Sequence, residues 1–151
     1  MEYYEGSWPL LVALSPKLYD RAEVEQMQSS FERYFRRAER YALITVSPRG
    51  STPPGANERK AIAEWANSPR VREYSKQLCV GSASVMENAL MRGALTAMMW
   101  IWTPASPHKA VSTVDEAIDY ALDKLKTSQV PLPRGGEALR VEIHSWLRTR
   151  I

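Results

Sequence analysis

The residues best able to do chemistry are few and scattered. Two histidines, His108 and His144, and one cysteine, Cys79, are the only imidazoles and thiol. Neither histidine has a Cys, His or Asp at the spacing of a metal-ligand motif. His108 follows Pro107 at a predicted strand start, so an edge or surface position is expected. Cys79 opens a predicted strand and reads as a buried structural thiol. A Cys79–His108 pair would need their two strands to be neighbours. Glu23 with Glu25, and Asp115 with Glu116, fall at helix starts, where capping and the helix dipole account for them. The loop Pro48–Gly55 (PRGSTPPG) has neither Walker nor dinucleotide spacing, and its prolines remove N–H groups an anion cradle would need.

Two surfaces have the composition for recognition. Arg33, Arg37 and Arg40 recur at i, i+4, i+7 with Arg36 beside them. Glu32 and Glu39 can pair with part of that charge, so a solvated face is the default and an anionic protein the next reading. No aromatic interleaving points to nucleic acid. The segment Ala89–Trp102 carries one charge, Arg92. A helix apolar nearly all round must be covered on most sides. Met98, Trp100 and Trp102 cannot all face one sheet with Met91 and Met99. Either Trp146 and the C-terminal segment cover some of them, or they form an apolar patch for a partner or a second copy.

These residues must be held by alternating strands and helices. Trp8–Ser15 reads as a strand, with an edge strand over Met1–Gly6 beside it. Asp20 caps a helix whose apolar positions are Val24, Met27, Phe31, Tyr34, Phe35 and Ala38, with Glu23 placed for a capping box. Tyr41–Ser47 lacks charge and reads as a central strand covered on both faces. Asn57 is the expected cap of the next helix, with Ile62 and Trp65 inward. Ser68-Pro69 interrupts it and starts another, continuing through Val71, Tyr74 and Leu78. Cys79–Met86 is a strand of small residues, and His108–Ser112 a short one. Thr113 and Glu116 form a capping box for Val114–Lys126. Ser128–Gly136 is linker-like. Glu137–Ile151 fits a strand or a helix, and a short helix that docks back or binds a second copy is preferred. Such alternation predicts an α/β sandwich of two layers, with four to five mostly parallel strands and about four helices. The division expected is a domain over 1–127 and a linker with docking segment over 128–151.

The bulk numbers are permissive. The 151 residues carry 20 Lys and Arg against 17 Asp and Glu, a net charge of +3. That excess is too small to argue for nucleic acid. One cysteine allows no internal disulfide. No apolar run spans a bilayer, and the first residues are unlike a secretory signal. A cytoplasmic protein with no cofactor is expected.

The order of elements, with LCVGSASVMENALMRGALTAMMWI followed by PHKAVSTVDEAIDYAL, resembles the SpoIIAA-like branch of the STAS fold over about Trp8–Lys126. Bacterial domains of that kind often close with a strand, a buried helix, a short strand and a helix beginning T-x-x-E-A. The resemblance implies a non-enzymatic regulatory module that binds other proteins, sometimes under phosphorylation control. In anti-sigma-factor antagonists the modified serine sits in a D-S-S-G-like turn after a central strand. Ser51 is the nearest equivalent, flanked by Ser47 and Thr52. The acidic residue and the serine–glycine pattern are replaced here by Pro48, Pro53 and Pro54. Two other readings remain: an immunity protein masking a toxin, and a carrier of a small apolar ligand seated between the Ala89–Trp102 helix and the sheet.

Overall fold

A computed structural model describes residues 1–89, 92, 93, 95 and 103–151. The chain forms β1 (Glu2–Tyr4), β2 (Leu10–Leu14), α1 (Arg21–Arg37), β3 (Tyr41–Val46), α2 (Ala56–Asn67), α3 (Pro69–Leu78), β4 (Cys79–Val85), β5 (His108–Val111), α4 (Val114–Thr127) and α5 (Gly136–Arg148). The strands join in sequence order into one sheet. β1 runs antiparallel to β2, and every other neighbouring pair is parallel. The α/β class and the mostly parallel five-stranded sheet are therefore as the alternation of elements predicts.

Side chains alternate between the two faces of a strand, so each strand feeds two cores. Leu10, Val12, Ala42, Ile44, Ala83, Val85 and Val111 face α4 and α5, meeting Ala117, Ile118, Ala121, Leu125, Ile143 and Leu147. Leu11, Tyr41 and Cys79 face the other way, against Tyr34 and Phe35 of α1 and Val71 and Leu78 of α3. The uncharged β3 is covered on both faces, as its composition requires. The register shifts between Tyr41 and Ala42, which pair with Cys79 and Gly81. That leaves Val80 as the extra residue of a bulge. Gly81 then faces α4. A Cβ there would lie 2.6 Å from Lys124 Cγ, so the glycine lets α4 approach the sheet.

The local signals explain most helix ends. Asp20 accepts a hydrogen bond from the Glu23 N–H at 2.9 Å, while the Glu23 carboxylate turns to the Met1 amino group. Thr113 and Glu116 close a complete capping box on α4. Pro69 stands in the first turn of α3. Two details depart from expectation. The N-cap of α2 is Gly55 rather than Asn57, because the helix begins at Ala56 and takes Asn57 into its first turn. Ala38 is not an inward residue of α1 but its exposed C-cap, with φ 55°. Leaving the helix there lets β3 begin at Tyr41. A left-handed alanine is strained by its Cβ, so Ala38→Gly should raise the unfolding free energy by up to about 1 kcal/mol, read as a higher urea midpoint. The ambiguous C-terminal segment is a helix, α5, with Leu139, Ile143 and Leu147 buried.

Candidate functional site

The loop after β3 places Ser51 in a defined turn. Gly50 adopts φ +76° and the Ser51 N–H donates to the Pro48 carbonyl at 3.2 Å, as a turn with glycine at its third position requires. The Ser51 hydroxyl donates to the same carbonyl at 2.8 Å. Thr52 binds back to the Lys17 carbonyl through its N–H at 3.0 Å, tying this loop to the one after β2. Arg49 pairs with Glu87 at 2.8 Å, and Arg59 of α2 donates to the Pro54 carbonyl at 2.8 Å. Ser51 therefore sits beyond the carboxyl end of a central strand, just before a helix, with Lys17, Arg49 and Arg59 on the surrounding backbone.

The four arginines of α1 and its C-terminal turn are all exposed, but they divide by partner. Arg33 donates to Glu5 at 3.0 Å and to the Tyr34 hydroxyl at 3.3 Å. Arg37 meets Glu39 at 3.2 Å and lies 3.9 Å from the centre of the Trp8 ring. Glu39 in turn accepts from Trp8 Nε1 at 2.6 Å. Arg36 and Arg40 have no ion-pair partner among the described residues. Glu32 is spent on Arg70 of α3. Sequence spacing grouped the four as one face; the fold makes two of them internal clamps.

Met98, Trp100 and Trp102 lie outside the described residues, as does most of Ala89–Trp102 and hence the ligand seat expected beneath it. An open groove of about 390 Å³ is lined by Leu122, Asp123, Lys126, Val130 and Leu132. It lies along α4 and the chain that follows it.

His108 takes the expected edge position on β5 and is half-buried, with its Nε2 enclosed. Ser82 Oγ and His108 Nδ1 are 2.7 Å apart, and the enclosed Nε2 has no hydrogen-bond partner among the described residues. The register pairing Ser82 with His108 across β4 and β5 brings the two together. Aligning the two predicted strands would have been the only sequence signal for it. The Cys79 thiol donates to the Gly81 carbonyl at 3.5 Å, and burial pushes its pKa up, away from a reactive thiolate. Among the described residues, no three or more His, Cys, Asp or Glu side chains are placed to hold a metal ion. No helix described is long and apolar enough to cross a membrane.

Burial lowers the His108 pKa below its usual value. An imidazolium would carry two N–H groups, and the enclosed Nε2–H would find no acceptor among the described residues. The unfolded chain therefore takes up the proton first, and stability should fall as pH drops through about 6.5 toward the folded-state pKa. Asp115 is held low by His144 at 2.9 Å and by Arg140, and Glu116 by the Ser112 N–H and hydroxyl. Their contribution is present at neutral pH and is lost in a separate, more acid window. Urea unfolding between pH 8 and pH 5 checks the first window. His108→Gln should flatten it and leave the acid one, and an unchanged slope would refute the assignment.

Comparison with protein-family models, with curated proteins and with solved structures finds no match to this chain.

Proposed function

We propose that this chain is a non-enzymatic, regulatory protein-interaction module of the STAS, SpoIIAA-like type, acting by stoichiometric binding to a protein partner. The observation that carries the reading is the position of Ser51, in a turn after the central β3 and ahead of α2. The resembling domains hold their regulated serine at that place. Support also comes from the succession β4, β5, α4, with α4 opening on Thr113, Glu116 and Ala117. A phosphate on Ser51 would add about −1.5 to −2 charge to a loop that carries Arg49 and accepts a hydrogen bond from Arg59. The new charge could take Arg49 from Glu87 and reshape the surface a partner reads.

Affinity capture from the native host tests this, with wild-type protein and Ser51→Asp as baits. One specific protein should be retained in a fixed mass ratio, and Ser51→Asp should weaken it by about tenfold, roughly 1.4 kcal/mol. Retention of no specific protein would remove the reading. A partner whose toxicity is silenced on binding would move it to an immunity protein. A co-purifying apolar small molecule would move it to a carrier.

A further inference from the structure

We propose that the end of the domain where the parallel strands begin is a docking surface for an acidic protein segment, centred on Arg36, Arg40 and Lys76; this rests on the binding-module reading above. Three helices finish at that end. β3 and β4 start side by side, with Tyr41 paired to Cys79. α1 closes at Arg37 just before β3, and α3 at Leu78 just before β4. On the opposite face, Lys124 packs where a Gly81 Cβ would be, so the last turn of α4 reaches the same rim. The last turns of these helices carry Arg36 and Arg37, Lys76, and Lys124 and Lys126.

Cations at helix C-termini complement the helix dipole. That accounts for Arg36, Lys76 and Lys126 singly. It does not account for Arg40, which lies beyond α1, nor for the lack of counter-charges. Elsewhere many cations are paired, Arg21 with Glu25, Arg70 with Glu32, Arg134 with Glu142, Arg140 with Asp115 and Asp119, Arg150 with Glu2, while Lys17 and Arg148 stand apart from one another without an ion pair among the described residues. At this rim most acids other than the exposed Asp123 are already engaged. Glu5 and Glu39 are taken by Arg33, Arg37, Tyr34 and Trp8, and Glu73 accepts from Gln77 at 2.6 Å. Arg36, Arg40, Lys76 and Lys126 are exposed and have no ion-pair partner among the described residues. An acidic protein segment can supply the missing carboxylates and be steered there by the field. Nucleic acid fits less well. Glu39, Glu73 and Asp123 interrupt the positive track, and Trp8 has Arg37 over its ring and Tyr34 stacked against it, leaving no free stacking platform.

The probe is a fluorescein-labelled oligo-glutamate peptide, read by anisotropy at about 50 mM salt and again at about 300 mM. The rim variant is Arg36→Glu/Arg40→Glu/Lys76→Glu. The control, Arg21→Glu/Lys60→Glu/Arg148→Glu, makes the same change in net charge at exposed positions away from the rim. The glutamine form of the rim triple serves if the glutamate form does not fold. Wild-type binding should weaken with salt, fall by about tenfold or more in the rim variant, and change by less than about threefold in the control. No wild-type binding at the lower salt, equal loss in both variants, or preference for a single-stranded oligonucleotide would overturn the proposal. In the host capture experiment, a rim variant that retains the wild-type partner undiminished overturns this inference and leaves the module reading standing. A wild-type bait that retains no specific protein removes the module reading whatever the peptide does.

Discussion

Truncating Ile143 to alanine should lower the unfolding free energy by about 2–5 kcal/mol, seen as a drop in the urea midpoint with an unchanged slope. Ile143 is 0% exposed on α5 and belongs to the same cluster as Leu10, Val12 and Ile44 of the sheet and Ala121 and Leu125 of α4. Removing its outer carbons leaves a cavity between three elements that cannot all close in. Val141, two residues earlier and 65% exposed, gives the contrast. Val141→Ala should stay within about 0.5 kcal/mol. The pair also separates the two readings of this segment. A strand would place Leu139, Val141 and Ile143 on one face, and both truncations would then be costly. A loss below about 0.5 kcal/mol for Ile143→Ala would mean that α5 is an appendage rather than part of the core.

Replacing Tyr34 by alanine should cost about 3–5 kcal/mol by the same measurement. The residue is 1% exposed on the face of the sheet opposite α5. Its ring stands 5.6 Å from Tyr3, 6.0 Å from Phe31 and 6.0 Å from Trp8. Its hydroxyl donates to Glu5 at 2.9 Å, and Glu5 also accepts from Arg33 at 3.0 Å. Tyr34→Phe keeps the packing and loses the bond to Glu5 and the longer one accepted from Arg33, so about 1–2 kcal/mol is expected. Equal losses in the two variants would show that the hydroxyl, not the ring, holds this corner together. The alanine variant should also loosen Glu5 and Arg33, while leaving Arg36 and Arg40, which have no part in the clamp.

Much of the architecture is local and could be read along the chain. Asp20 and Thr113 cap helices because a short oxygen-bearing side chain meets N–H groups two or three residues on. Pro69 opens α3 because its fixed φ suits a first turn. β3 shows itself by lacking charge, since both its faces are covered. The turn around Ser51 follows from Gly50 and its prolines. The C-terminal segment was ambiguous because Leu139, Ile143 and Leu147 satisfy a helical stripe while Val141 adds a strand-like alternation. Only the presence of α4 and the sheet beneath it decides which residues are covered.

The sequence by itself determined where most strands and helices form, which faces are apolar, and that thiol and imidazole residues are sparse enough to name one by one. The tertiary structure alone decided how those residues are used. Glu5 is 28 positions from Arg33, and Ser82 is 26 from His108. Neither pairing has any trace in local spacing. Adjacent strands set His108 beside Ser82, moved Cys79 into an apolar core, and split one row of arginines into clamps and free charges. Capping and periodicity act over a few residues, whereas charge pairing and burial depend on which distant segments the sheet sets side by side.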